Sequence, residues 1–115
     1  MNYGPAMLAH SPSRTVMKII ITTQVYCNYG TANDPYWKAK GAGDYVVKLP
    51  CGYTEADVKR KIELAKAVIE LHNTPMWWET WLGYHVVEDN ILTDFESQQL
   101  EWDGRIDFPA EVLNV

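Results

Sequence analysis

Residues Thr54–His72, TEADVKRKIELAKAVIELH, place the strongest constraint on what this chain can fold into. Val58, Ile62, Ala65, Ile69 and His72 recur at helical spacing, and Leu64, Val68 and Leu71 widen the apolar stripe. Lys59, Arg60, Glu63, Lys66 and Glu70 fill the other side, with opposite charges three and four positions apart. That pattern is ordinary solvated helix surface. Thr54 with Asp57 three residues on makes a capping-box-like start, and Asn73-Thr74-Pro75 makes a stop. His72, in the last turn, is placed to interact with the negative end of the helix dipole. A helix of this kind must bury one side against another layer. At 115 residues that layer has to come from the same single domain.

The partner layer is legible in Met17–Val47. Lys18–Cys27 is dense in β-branched residues and reads as a first strand. Ile19, Ile20 and Ile21 run together, which suits a central strand covered on both faces. Tyr45–Leu49 reads as a second strand, ended by Pro50. Between them Asn28–Gly43 carries turn formers at Asn28, Gly30, Asn33-Asp34-Pro35 and Gly41-Ala42-Gly43, and is expected to be a long loop. Loops of that length are usually functional or mobile. Tyr29, Tyr36, Trp37, Lys38 and Lys40 are therefore the candidate partner-binding residues, with cations close to aromatic rings. The competing expectation is that Tyr36 and Trp37 fold back and plug one end of the core.

Further along, the run MWWETW at Met76–Trp81 is expected to be a linker or helical extension that caps the core with at least two of its three tryptophans. Leu82–Glu88 reads as a third strand. Thr93 and Glu96 form a capping box for a second short helix, with Phe95, Gln99 and Trp102 on one side and Gly104 as terminator. Ile106–Phe108 is a candidate last strand, and Ala110–Val115 an apolar tail that docks or frays. The expected fold is α+β, a small, mainly antiparallel sheet with two helices packed on one face, in the order β-β-α-β-α-β. Residues 1–16, with two prolines and small polar residues, are expected to be an irregular arm preceding a domain over 17–115, and Met17 is a candidate start.

Composition narrows the function. A net charge of −5 with no basic stripe makes nucleic acid a poor partner and leaves a basic protein surface as a candidate. Five tryptophans and seven tyrosines are many for this length; buried aromatics can supply much of a small core, and exposed ones often mark binding surfaces. No run approaches the apolar length of a membrane span. Cys27 and Cys51 are expected as reduced thiols in a cytoplasm, although a disulfide between them is geometrically conceivable. Histidine and cysteine spacing fits no zinc site, no glycine motif fits a phosphate, and no nucleophile signature is present. Neither a metal nor a cofactor is implied, and the reading leans away from an enzyme. A thiolate–imidazole pair between Cys27 and His85 would need their strands to bring them together.

The segments KIIITTQVYCNYG and YWKAKGAGDYVV, with the later LTDFESQQLEWDGRI, resemble a group of small, mostly uncharacterised proteins of tailed bacteriophages. Those proteins open with a strand like KIIITTQVYENYG, pass through a loop ending in YWK and glycines, and resume in a YVV strand. The likeness covers most of residues 17–48 and 91–106. This chain departs from it in Cys27, where an acidic residue is expected, and in a shorter loop. The resemblance implies an accessory protein of an infected bacterial cytoplasm and assigns no catalytic residue. A host protein is then the expected partner, a defence component such as a CRISPR complex being one candidate. The alternatives are a self-assembling structural or virion-associated module, a homo-oligomer, and a small-molecule or nucleotide-binding domain with a pocket between Tyr36, Trp37 and the MWWETW run.

Overall fold

A computed structural model describes residues 16–115. The expected arm lies, apart from Val16, outside the described residues. Four strands, β1 (Met17–Asn28), β2 (Trp37–Lys48), β3 (Trp77–Glu88) and β4 (Glu111–Val112), and two helices, α1 (Glu55–Glu70) and α2 (Asp94–Asp103), follow one another in the order β-β-α-β-α-β. They form one α+β sheet ordered β3-β1-β2-β4. β2 and β3 both run antiparallel to the central β1, and the two-residue β4 runs parallel to β2.

The isoleucine triplet explains the central place of β1. Ile19 and Ile21 join Tyr45, Val47 and Leu49 under α1, against Val58, Ile62, Ala65 and Ile69. Ile20 points to the other face and packs with Val46, Ala110 and Val87. Both faces of β1 are thus covered at this end, as a continuous apolar run requires. The α1 stripe is narrower than its sequence suggests. Ile62 and Ile69 are buried, whereas Leu64 and Leu71 face solvent. Thr54 caps the helix with Asp57 in a reciprocal capping box, as expected.

The two helices do not share a face of the sheet. α1 covers the Ile19 and Ile21 side, and α2 lies beside Ile20, Thr22 and Val87 on the other. The reason is visible in how α2 is attached. Its buried residues are Glu96 and Gln99, not an apolar stripe. Glu96 accepts hydrogen bonds from the Thr93 and Ala110 amides, and Gln99 both donates to and accepts from the Phe108 backbone at 2.7 Å. Polar anchors hold this helix, so of the side read from sequence only Gln99 is buried, and Phe95 and Trp102 stay exposed. Gly104 terminates it in the left-handed conformation, φ 72°, as its position predicts.

Three further expectations are corrected. β2 begins at Trp37, so the loop is Tyr29–Tyr36 and not Asn28–Gly43. The MWWETW run is neither linker nor helix, since Trp77 already starts β3. Ile106–Phe108 is not a strand. The short last strand lies within the tail, where Leu113 donates its amide to the Val46 carbonyl and enters the core. The tail therefore docks, and the Val115 carbonyl takes a 2.7 Å hydrogen bond from Lys61 on α1.

Candidate functional site

Three strands of 12 residues each extend about 40 Å, while the 16-residue α1 covers about 24 Å. One end of the sheet therefore runs on beyond its helix. Trp37–Ala42 are exposed throughout, although Lys38 and Ala39 pair in register with Cys27 and Tyr26. Bulges interrupt the ladders between Val25 and Tyr26 toward β2 and between Thr22 and Thr23 toward β3. Both lie where the covered half gives way to the uncovered half, and bulges there increase local twist.

Asn28 builds the tip of this ribbon. It is buried at 6% exposure, and its Oδ1 accepts from the Gly30 and Tyr36 amides, each at 2.8 Å. Its Nδ2 donates to the Thr31 and Pro75 carbonyls, each at 3.0 Å. One side chain thus ties the β1–β2 loop to the segment entering β3. The Tyr29 amide closes the loop on the Tyr36 carbonyl at 2.8 Å. Gly30 permits this closure, because a Cβ there would collide with the Asp34 carbonyl.

The result is an exposed aromatic end. Tyr29 is 62%, Tyr36 60% and Trp37 38% exposed. Trp78 and Met76 add to the same end of the sheet and are also exposed. Tyr26, Trp37 and Trp78 enclose a shallow depression of about 360 Å³. A pocket between Trp37 and the MWWETW run is therefore present, but Tyr36 does not line it. Lys38 and Trp77 lie opposite Cys27 from its two sides, and the Lys40 ammonium sits 5.8 Å from the centroid of the Trp77 ring. The five residues singled out from sequence all lie at this end, Tyr29 and Tyr36 flanking the loop and Trp37, Lys38 and Lys40 on the strand that leaves it. Asp34 is the one carboxylate between Asn28 and Gly43, so the end is locally cationic on an acidic chain.

Beneath the ribbon lies a polar cluster that sequence reasoning missed. The Glu79 carboxylate accepts from Thr23 Oγ1 at 2.7 Å and from the Tyr45 hydroxyl at 2.7 and 2.9 Å. His72 Nδ1 lies 2.9 Å away, and the Trp77 indole N–H donates at 3.4 Å. Burial pushes this carboxyl up, but the hydrogen bonds from Tyr45, Thr23, His72 and Trp77 outweigh it and hold the group below its ordinary value. Burial and the Glu79 carboxylate raise the Tyr45 phenol in turn. His72 thus serves this cluster and not simply the helix dipole. The cluster joins the end of α1 to all three long strands where the covered half of the sheet stops. The alternation of Trp77, Glu79 and Trp81 on one face of β3 is the signal that could have found it.

Of the three tryptophans in the run, Trp81 packs against the core with Lys66 over its ring at 5.1 Å, Trp77 is half-buried, and Trp78 is exposed. No disulfide joins Cys27 and Cys51. Cys27 lies opposite Trp77 and His85 opposite Ile20, seven positions apart along β1, so they form no pair. Among the described residues no group of three His, Cys, Asp or Glu is arranged to hold a metal ion, and no helix is long and apolar enough to cross a membrane. Compared with protein-family models, curated proteins and solved structures, the chain matches none of them.

Proposed function

We propose that this chain is a non-enzymatic binding protein that engages a host protein through the aromatic end of its sheet. The observation that carries the reading is the combination at that end. Tyr29, Tyr36 and Trp37 are exposed on backbone that Asn28 and strand pairing hold rigid. Rigid, exposed aromatics beside cations are what interface anchors are made of, because little side-chain entropy is lost when they dock. The complementary surface has apolar pockets with an acidic rim, matching Lys38 and Lys40. The resemblance of Lys18–Gly30 and Tyr36–Val47 to bacteriophage accessory proteins supports a bacterial host and its cytoplasm as the setting, with a defence component as one such partner.

The test is affinity purification of the tagged chain from bacterial cells, with quantitative mass spectrometry, beside a Tyr36→Ala, Trp37→Ala double variant of unchanged melting temperature. A host protein enriched by the wild type and lost with the variant supports the reading. Identical captured sets count against it.

Among the described residues no strand pairs with the outer edge of β3, which favours a second reading, self-association. Trp77–Glu88 contains neither Lys nor Pro, the residues that usually blunt an edge. Light scattering on the purified chain discriminates: a monomer at all concentrations removes this alternative.

A further inference from the structure

On the face of the sheet opposite α1, between the strands and the segment leading into α2, lies a groove of about 580 Å³ that reaches Gly41 and Ala42 but none of the aromatic residues of the tip. Its floor is apolar, made by Ile20 and Val87, with Ile91 and Phe95 as one wall. Six polar side chains line it: Thr22, Asp44, His85, Thr93, Asp94 and Gln98. Thr22, His85 and Gln98 make no side-chain hydrogen bond among the described residues. Asp44 uses only Oδ2, which accepts from Thr93 Oγ1 at 2.7 Å. Its Oδ1 has no partner there. Asp44 lies opposite Thr22 on β2, and His85 lies opposite Ile20 on β3. The two residues therefore flank the central strand, their backbone positions about 12 Å apart by strand spacing and the two-residue offset. An apolar floor with a few convergent, unsatisfied polar groups in a volume of this size is the usual form of a small-molecule site.

The charges select the ligand. Asp44 and Asp94 line the groove, Glu96 lies close behind, and no Lys or Arg lines it. Lys18 is the cation nearest to them, and its ammonium is already engaged with the Asp89 carbonyl at 2.8 Å. Burial pushes the Asp44 carboxyl up, and Glu96 and Asp94 push it further against Thr93 and Lys18. A cationic head would relieve both the open hydrogen-bond position and the charge repulsion. We propose that this groove binds a small organic cation, an amine or guanidine head against Asp44 Oδ1 with an apolar body lying on Ile20, Val87 and Phe95. The size suits a single small molecule, and none of Tyr29, Tyr36, Trp37 or Trp78 lines the groove.

The experiment is an NMR titration of the full chain with three probes of one shape: phenethylamine, 2-phenylethanol and 3-phenylpropionate. Phenethylamine binds with a dissociation constant on the order of millimolar, as suits so small a probe. Its shifts centre on Thr22, Asp44 and Phe95, and the alcohol and the acid bind about tenfold weaker or less. Asp44→Asn, which keeps the shape and the acceptor for Thr93, removes that preference. Phe95→Ala weakens the amine and the alcohol alike and keeps the preference. Equal binding of the three probes overturns the proposal, as do shifts centred on Trp37 and Trp78 or no saturable binding below ~20 mM. A blocked lysine peptide binding more tightly than phenethylamine would also overturn it, because the amine would then come from a protein side chain.

Discussion

Glu79 and Gly43 meet across the central strand: a Cβ on Gly43 would lie 2.8 Å from Glu79 Oε2. The same Cβ would press on the Tyr45 ring and on Thr23 Oγ1, two of the donors that hold the carboxylate. The glycine on β2 is thus the space into which the buried carboxylate of β3 fits.

Gly43→Ala is accordingly expected to destabilise the domain by about 1–3 kcal/mol, the usual cost of overpacking. Gly41→Ala is the control, since nothing lies within 4 Å of its Cβ position. Urea unfolding of the two variants checks the difference. A Gly43→Ala protein as stable as Gly41→Ala would show that the carboxylate does not sit where described.

Acid should weaken the fold through the same carboxylate. The Glu79 carboxyl is held below its ordinary value of 4.5, so its contribution is complete above that pH and is lost as pH falls through the lower folded value. Glu96, held low by the Ala110 and Thr93 amides against the effect of burial, acts in the same window. Asp44, raised from 3.8 chiefly by burial, has the opposite sign: what it contributes is present below 3.8 and lost as pH rises through its folded value. Glu79→Gln should cost about 1–3 kcal/mol at neutral pH by leaving buried donors unsatisfied. The gap to wild type should narrow as the pH is lowered, which thermal unfolding across a pH series measures.

How much of this could be read from residue order depends on which force set each element. α1, both capping boxes and the Gly104 stop were legible, because helical period and cap chemistry are local. The isoleucine triplet announced a doubly covered strand for the same reason. Trp37–Gly43 did not read as strand, because Lys38-Ala39-Lys40-Gly41 has low β propensity and only pairing with Cys27–Val25 holds it extended. Glu79 was hidden because its partners Thr23, Tyr45 and His72 are distant in sequence and come together only in the folded sheet. The aromatic residues of the tip gather at one end of the sheet, but residue order marks the buried Asn28 that positions them only as a turn former.

Asn28 separates two effects at the tip. In Asn28→Ala the Gly30 and Tyr36 amides lose their acceptor and should exchange faster with solvent. Asn28→Asp keeps that acceptor but loses the donation to the Thr31 and Pro75 carbonyls. Hydrogen exchange should then show these two amides protected in the aspartate variant and unprotected in the alanine variant.

The α1 stripe gives a contrast that its sequence period does not. Ile69 is 3% exposed and Leu71 is 82% exposed, although both belong to the apolar set. Ile69→Ala should cost about 2–5 kcal/mol. Leu71→Ala should stay within about 0.5 kcal/mol of wild type. Denaturant unfolding of the two variants compares them directly.

The most direct test of the proposed binding surface is site-specific photo-crosslinking in bacterial cells. A benzophenone amino acid is placed at Tyr36 in one chain and at Leu71, more open to solvent still but at the C-terminal cap of α1, in another. The account predicts that the Tyr36 chain is covalently captured by a discrete host protein and the Leu71 chain is not. Capture from Leu71 with none from Tyr36 would contradict it.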